Sequence, residues 1–426
     1  MRIAFEINDT GFTGMDLTKP ENGNPGVGGT QFEFVLLINT LLNHYNSKYD
    51  IFIYHYNENS YNNKAKDVIV KNEEDLLKIA AADEIDLLVY KTDKDAKWYS
   101  ELEKYGIITL AWAHTYLKYE ELKLIERSKN VIRLICVGKE QYDIHIDDDV
   151  ILKTGYIYNM VDSSGAHIRN TQYENEVTYI GSLIREKGFH VLAKAWKDVL
   201  KEVPDAKLNI IGSGKLYNRN SQLGAYGIAE KKYEESFIPY LVDNKGEILP
   251  SVKFLGIMGA EKKDIIQKTA VGVVNPTAVS ETFCISAVEF EGQGIPVCSC
   301  KKNGLLDTVQ HRKTGLLSKS SKELSKNIIE LLKNKKTNCE YGKNGVEYVK
   351  KFQPEVVVEE WDACFQKIAN KEKVMYMNVT GNYLNNGKIF RVINRWIRFN
   401  LRIKCFPSIN TIIYDCKKIY HRLKGV

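Results

Sequence analysis

The segment between Val271 and Val297 constrains the fold most, because it predicts a strand, a loop, a helix and a second strand in close succession. The run Val271–Val274 ends at Asn275-Pro276, as a buried strand does before a turn. Gly292 and Gly294 then end a helical stretch ahead of a second apolar run that reaches Val297. Strands that alternate with helices in this way are typical of α/β proteins with parallel sheets.

Two glutamates, Glu281 and Glu289, lie on either side of the predicted start of this helix, which the chain enters at Phe283–Ile285. The first turn of a helix offers backbone N–H groups and the positive end of the helix dipole, so it attracts phosphate. Carboxylates instead accept hydrogen bonds from hydroxyl groups, such as those of a sugar or a ribose. The pattern therefore predicts a nucleotide-sugar site, although two glutamates at this spacing also occur by chance as solvated residues.

Other segments also predict a strand followed by a turn, and some of them a helix after the turn. Residues 177–188 predict a strand, a tight turn with the basic residues Arg185 and Lys187, and a helix start. The further segments are a strand that ends in the loop Gly212-Ser213-Gly214, the strand and loop Val252–Met258, Asn303–Asp307 with Thr314–Leu317, the glycine-rich turn Gly26–Thr30 before an apolar helix, and a strand that ends in His114. Glycines after strands are ordinary turn residues, so each of these segments alone is a weak signal.

In their order and spacing, the segments between about residues 175 and 320 resemble the retaining GT-B glycosyltransferases of family 4 (glycosyl transferases group 1). The N-terminal turn Gly26–Thr30 and His114 agree with this family less specifically. The resemblance implies an α/β GT-B fold, with two Rossmann-like doubly wound domains facing a central cleft. It also implies a metal-independent reaction without a cofactor. No Asp-x-Asp motif occurs where a metal-dependent transferase requires one, and Asp147–Asp149 is interpreted as a turn.

The resemblance also assigns residues to roles. The catalytic set that it implies is Glu281, His114 and Lys187. The donor-binding set that it implies is Gly28, Gly29, Arg185, Lys187, Gly212, Met258, Phe283, Cys284, Ile285 and Glu289. The chain departs from the family pattern at Ser182, where an arginine is expected. Arg185 is the candidate to supply that charge, with a solvated residue at the helix start as the alternative reading. Asn303 and Asp307 also replace a glycine and a glutamate of the family pattern.

The function implied is transfer of a sugar, with retention, from a UDP- or GDP-sugar to a saccharide or lipid-linked saccharide acceptor, in the biosynthesis of surface polysaccharide or glycolipid. Ser182 leaves open a second function, a non-catalytic GT-B partner subunit of another glycosyltransferase. A sugar-nucleotide epimerase or phosphorylase, and a peripheral scaffold, are weaker alternatives. Nucleic-acid binding is not expected, because no module for it is present.

The length of 426 residues predicts two or three domains. We expect an acceptor-side domain at 1–165, a donor domain at 172–352 with an insertion at 215–250, a helix at 353–372 that returns to the first domain, and a C-terminal extension at 373–426. The start of the chain does not resemble a signal peptide, and no apolar run is long enough to span a membrane. The eight cysteines show no Cys-x2-Cys pair, which favours the reduced cytoplasm.

The extension is strongly basic. From residue 374 onward it contains one acidic residue, Asp415, and ten basic ones: Lys388, Arg391, Arg395, Arg398, Arg402, Lys404, Lys417, Lys418, Arg422 and Lys424. The four arginines between 391 and 402 share one helix face, opposite Ile, Val and Trp residues. This pattern predicts a helix whose arginines bind the anionic inner face of the plasma membrane. The alternative is a helix packed on the protein with its arginines in solvent.

Overall fold

The computed structural model describes residues 1–45, 47–162, 174–214, 222–259, 261–381 and 383–424. The chain forms two compact units. Unit 1 contains Met1–Met160 and Val357–Val426, and unit 2 contains Val161–Val356. The domain limits expected at 165 and 172 fall within 163–173, outside the described residues, as does the 215–221 part of the expected insertion.

Unit 1 begins with alternating strands and helices. Their bounds are β1 (Arg2–Ile7), α1 (Gly29–His44), β2 (Asp50–His55), β3 (Lys66–Ile69), α2 (Glu73–Ala82), β4 (Leu87–Lys91), α3 (Ala96–Tyr105), β5 (Thr109–Ala113), α4 (Tyr119–Arg127), β6 (Val131–Cys136), α5 (Lys139–Asp143) and β7 (Thr154–Tyr156). Local signals set several of these limits. The side chains of Asn72 and Asp95 accept backbone N–H bonds at the starts of α2 and α3, and Gly106, in the left-handed conformation, ends α3.

Among the described residues, the strands of unit 1 form a seven-stranded parallel sheet in the order β3-β2-β1-β4-β5-β6-β7. The order reverses direction between β1 and β4. In such sheets a crevice opens at the reversal point, beyond the carboxyl ends of the strands, and ligands bind there.

Unit 2 continues the alternation. Its elements are β8 (Glu176–Ile180), α6 (Phe189–Glu202), β9 (Lys207–Ile211), α7 (Lys231–Phe237), β10 (Val252–Gly256), α8 (Lys262–Lys268), β11 (Val271–Val273), α9 (Ile285–Gly292), β12 (Val297–Cys300), α10 (Leu305–Thr308), β13 (Gly315–Ser318), α11 (Ser321–Lys333) and α12 (Lys335–Tyr348). The described strands form a six-stranded parallel sheet in the order β10-β9-β8-β11-β12-β13, which reverses between β8 and β11. The prediction of an α/β fold with two Rossmann-like sheets is confirmed.

The core of unit 2 includes part of the segment expected to be an insertion. Tyr233 and Phe237 of α7 are buried against Phe189 of α6, with ring centroids of Phe189 and Phe237 5.1 Å apart. The described part of this segment is therefore a packed component of unit 2.

The last helices are α13 (Pro354–Ala369), α14 (Lys388–Arg395) and α15 (Ile409–Lys424), and a π-helical stretch at Trp396–Asn400 continues α14. From Val357 onward the chain belongs to unit 1, where Trp361 packs on Trp112 with ring centroids 4.7 Å apart. No helix among the described residues is both long and apolar enough to cross a membrane.

The predicted orientation of α14 is wrong. Arg391 and Arg398 are buried rather than solvated, because the carboxylates of Asp147 and Asp149 lie beneath them. The run Asp147–Asp149, interpreted from the sequence as a turn, supplies the counter-charges for the extension. The alternative with solvated arginines is wrong at these two positions for the same reason.

Candidate functional site

The predicted residues Lys187 and Glu281 meet at the reversal point of the unit 2 sheet. Lys187 follows β8 in a short turn, and Glu281 follows β11 in the loop before α9. The Lys187 Nζ lies 2.9 Å from the Glu281 Oε2. Their side chains retain 23% and 9% of their exposure, so the ion pair is accessible from solvent through the lysine. Parallel strands bring these residues together because their carboxyl ends share one edge of the sheet.

The loop before Glu281 is held in an unusual conformation. Asn275 and Ala278 have φ of 29° and 53°, the left-handed region that costs a non-glycine residue about 1–3 kcal/mol. The Asn275 side chain compensates: its amide donates to the Glu281 Oε2 at 2.7 Å, and its oxygen accepts the Ala278 N–H at 3.0 Å. The sequence indicated Asn275 only as the end of a strand, so its role in orienting Glu281 was missed.

A second loop, which contains Asn303 and Gly304 just before α10, contacts and supports the loop before Glu281. The Gly304 N–H donates to the carbonyl of Glu281 at 3.0 Å, and a Cβ at Gly304 would lie 2.2 Å from the carbonyl oxygen of Thr282. Asn303, which replaces a glycine of the family pattern, has φ of 53° and donates to the Ala278 carbonyl at 2.7 Å. Asparagine tolerates this conformation, so the departure from the pattern preserves the loop.

The helix start predicted at Phe283–Ile285 is observed, with Cys284 as the N-cap of α9. Phe283 packs edge-on against Phe352, with ring centroids 5.1 Å apart. Cys284 is buried, and burial, reinforced by the charge of Glu281, raises the pKa of its thiol. Cys284 is therefore a neutral packing residue whose backbone sets the start of the helix. The first amides of a helix have no acceptor inside the helix and are available to bind an anion.

Glu289 lies one turn into α9. Its Oε1 is 2.7 Å from the Nζ of Lys262 at the start of α8, and both side chains are 27% exposed. The sequence gave no signal for Lys262, because its position opposite Glu289 depends on how α8 packs beside α9.

The remaining donor-binding candidates of unit 2 lie after neighbouring strands. Gly212 follows β9 with φ of 145°, and a Cβ there would lie 2.0 Å from the carbonyl oxygen of Gly181. Met258 follows β10 and is half-buried. The guanidinium of Arg185 is exposed and lies 6.0 Å from the ring centroid of Tyr233, whereas Lys187 contacts Glu281. Replacement of the missing arginine at Ser182 by Arg185 stays a prediction.

In unit 1, Gly28 is the N-cap of α1 and Gly29 its first residue. His114 follows β5 and packs on Trp112, with ring centroids 4.4 Å apart. Burial, and then the charge of Lys91, lower the pKa of His114 to about 3. The imidazole is therefore neutral near pH 7 and can take part in hydrogen bonds without carrying charge.

A polar cavity of about 90 Å³ opens at the reversal point of the unit 1 sheet. It is formed by the ends of β1 and β4 and the first turns of α1, and its polar lining includes Glu6, Asn8, Thr30, Gln31, Lys91 and Asp93. Sequence reasoning missed these residues, since single polar residues after strands carry no distinctive spacing. In the described part of the chain, no cluster of His, Cys, Asp and Glu has the composition of a metal site.

Most of unit 2 matches a known family. Residues 166–348 match the family of glycosyl transferases group 1. An uncharacterized glycosyltransferase of Methanocaldococcus jannaschii is 27% identical over 237 residues, which are 55% of this chain and 57% of the relative. The capsular polysaccharide biosynthesis glycosyltransferase CapM of Staphylococcus aureus is 23% identical over 197 residues, which are 44% of this chain and 45% of CapM. The chain thus spans about half the length of these relatives.

A solved structure shares the fold over most of the chain. The Anabaena protein HepE, in its complex with UDP-glucose, superposes with a TM-score of 0.64 and 16% identity, covering 86% of this chain and 100% of HepE. At this identity the similarity establishes the GT-B fold. The group 1 match contains the Lys187–Glu281 pair, the loop of Asn275 and the start of α9.

Proposed function

We propose that this protein is a retaining glycosyltransferase of family 4. It transfers a sugar from a UDP- or GDP-sugar to a saccharide or lipid-linked saccharide acceptor, in the biosynthesis of surface polysaccharide or glycolipid. The observation that carries the proposal is the Lys187–Glu281 pair beside the start of α9, at the reversal point of a sheet that matches the group 1 family. CapM, named for capsular polysaccharide biosynthesis, supports the pathway, and the HepE complex supports a UDP-sugar donor.

The donor roles follow from charge and placement. Lys187 and the first amides of α9 stabilise the negative charge on the departing diphosphate. Glu281, oriented by Asn275, accepts hydrogen bonds from hydroxyls of the transferred sugar. Glu289 accepts a hydrogen bond from the ribose, exchanging its contact with Lys262 for one with the ligand.

The reaction breaks the bond between the anomeric carbon and the diphosphate oxygen and forms a bond from that carbon to an acceptor oxygen. The family resemblance implies that the leaving phosphate receives the acceptor proton. This scheme needs electrostatic stabilisation more than a strong protein base, which agrees with a neutral His114. We assign the acceptor to the polar cavity of unit 1, whose mixed donors and acceptors suit saccharide hydroxyls.

A cytoplasmic location is part of the proposal, because all eight cysteines are free thiols, as in reduced compartments. Metal independence is also part of it, since a lysine and a helix start supply the positive charge.

Incubation with a panel of UDP- and GDP-sugars and lipid-linked saccharides tests the proposal. Release of UDP or GDP that depends on the acceptor is the expected result, with the product anomer matching the donor anomer. Calorimetry with UDP and GDP separates the alternatives, because a non-catalytic partner would bind neither nucleotide. A folded protein that binds a nucleotide yet releases none with any donor would contradict the proposed activity.

A further inference from the structure

The helix α14 is turned with its polar side towards the protein. Its buried positions are all polar: Asn385 just before the helix, then Lys388, Arg391, Asn394 and Arg398 in the π-helical continuation. The opposite side exposes large apolar groups, including Phe390 at 64% and Trp396 at 54% of their full exposure. A helix on the surface of a water-soluble fold normally has the reverse arrangement.

The anchoring contacts are strong and specific. Lys388 Nζ lies 2.6 Å from a carboxylate oxygen of Glu140 and 2.8 Å from one of Asp143, and all three side chains are buried. Arg391 pairs with Asp147 at 3.1 Å and donates to the carbonyl of Ile144 at 2.6 Å. These contacts fix the rotation of α14, so its apolar side is held outward.

The apolar exposure continues beyond α14. Most of the large exposed apolar side chains in the described residues lie between 375 and 423. The connection to α15 exposes Leu401, Ile403 and Phe406. In α15, Ile412, Ile419 and Leu423 recur at helical spacing on one stripe, and no residue of this helix is buried. An apolar surface this extended marks an interaction site.

The charges around this surface point to its occupant. Within 389–424 the exposed basic residues are Arg402, Lys404, Lys417, Lys418, Arg422 and Lys424, against one exposed acid of the same segment, Asp415. Two copies of the surface would bring like charges together, which disfavours self-association. Apolar and aromatic groups rimmed by lysine and arginine match the acyl boundary and anionic headgroups of a lipid surface.

We propose that the segment 389–424 docks the protein on an anionic membrane by inserting the apolar side of α14 and the stripe of α15 into the interface. The buried cations Lys388, Arg391 and Arg398 hold the surface in place, and the exposed cations of 402–424 contact the headgroups. This reverses the mode expected from the sequence, in which the arginines of α14 themselves bind the lipid. The proposal does not depend on the transferase activity.

Trp396 gives a direct measurement. It is the only exposed one of the five tryptophans, since Trp98, Trp112, Trp196 and Trp361 are buried. The full chain is mixed with phosphatidylcholine vesicles that contain or lack phosphatidylglycerol. We expect sedimentation with the anionic vesicles, a blue shift of the fluorescence, and quenching by brominated acyl chains. Raised salt should weaken the binding without abolishing it, because part of the attraction is apolar.

The double variant Phe390→Glu with Ile393→Glu retains the reporter and changes only exposed positions. We expect its partition coefficient to fall at least tenfold, with an unchanged melting temperature. Ile69→Glu, at an exposed apolar residue of β3, is the matched control and should bind as the unmodified protein does. Equal sedimentation of the double variant, or no sedimentation of the unmodified protein, overturns the proposal. So does a dimer that ignores vesicles and is dissolved by the double variant, because a second copy then covers the surface.

Discussion

Two groups of lysine–carboxylate ion pairs in this molecule differ in their exposure to solvent. In unit 2, Lys187 and Glu281 pair at the edge of the sheet, where the lysine side chain retains 23% of its exposure. In unit 1, Lys388 pairs with Glu140 and Asp143 with none of its side chain exposed. A pair that water reaches can exchange its partner for a ligand, whereas a dry pair can only be broken at high cost. Burial thus distinguishes the pair that we propose to bind ligand from the pair that anchors α14.

Removal of the buried cation Lys388 is expected to have the largest effect. Lys388→Met removes the buried lysine that pairs with Glu140 and Asp143, whereas Asp143 keeps its second partner Lys139, and we expect the local opening of α14 to become easier by about 3–5 kcal/mol. Hydrogen exchange of the α14 amides measures this opening. Lys404→Met, at an exposed lysine of the same segment, is the control and should exchange as the unmodified protein does. Slow exchange in both variants would show that the buried pair does not anchor the helix.

The next largest effect is expected at the solvent-accessible pair Lys187–Glu281, and it is measured as the rate of turnover. Glu281→Ala removes the proposed acceptor for the sugar hydroxyls, and we expect release of the nucleoside diphosphate to slow by about 10²–10³-fold, which corresponds to about 2.7–4 kcal/mol in activation free energy. Glu174→Ala is the matched control, because Glu174 forms a 2.6 Å pair with Lys207 at an exposed position. Near-normal turnover of the Glu281 variant would remove Glu281 from the catalytic set.

Removing the cation of the same pair should affect binding as well as rate. Lys187→Ala deletes the proposed charged contact to the diphosphate, and we expect a loss of about 1.5–3 kcal/mol in affinity for the nucleoside diphosphate. Calorimetry measures the affinity, with Lys207→Ala as the control for loss of an exposed lysine. An unchanged dissociation constant would assign Lys187 to the support of Glu281 alone.

A smaller effect is expected at Glu289. We propose its carboxylate as the hydrogen-bond acceptor for the ribose, so Glu289→Ala should weaken nucleotide binding by about 0.5–1.5 kcal/mol. Comparison with 2′- and 3′-deoxy nucleotides sharpens the test. The unmodified protein should prefer the ribonucleotide over at least one of them, and the variant should lose that preference. Equal discrimination by both proteins would exclude the ribose role.

The smallest effect is expected at Arg185, whose guanidinium is exposed near Tyr233. Exposed charges contribute about 0–1 kcal/mol, so Arg185→Ala should cost less nucleotide affinity than Lys187→Ala. Titration of both variants with the same nucleotide shows whether Arg185 is an exposed surface residue or contacts the diphosphate. Equal losses would mean that Arg185 turns towards the diphosphate and replaces the arginine missing at Ser182.

The sequence predicted the α/β fold, because strands that alternate with helices favour parallel sheets. It placed Lys187 and Glu281 after two predicted strands, but their contact follows from the observed strand order, in which β8 lies beside β11 and the two carboxyl ends share one edge of the sheet. The support of Glu281 by Asn275 was not predictable in this way, because it depends on a left-handed backbone at Asn275 and Ala278.

The orientation of α14 was missed for a different reason. Helical periodicity identifies a basic side and an apolar side, but it does not say which of them faces the protein. The side of α14 that faces the protein is determined by its ion pairs with Glu140, Asp143 and Asp147–Asp149, which lie more than two hundred residues earlier. A search for acidic clusters of matching charge would have indicated them.

The burial of Glu33 in α1 has a consequence for the proton balance of folding. Its carboxylate oxygen accepts the backbone N–H of Met160 at 2.9 Å, and burial raises its pKa from 4.5 to about 8. Between these two values the folded chain holds a proton that the unfolded chain has released. Folding is then coupled to proton uptake, and the stabilisation present below pH 4.5 is lost progressively as the pH rises towards 8. The N–H of Met160 favours the charged carboxylate, so the destabilisation in alkaline solution comes from the charge buried within α1 and not from loss of this hydrogen bond.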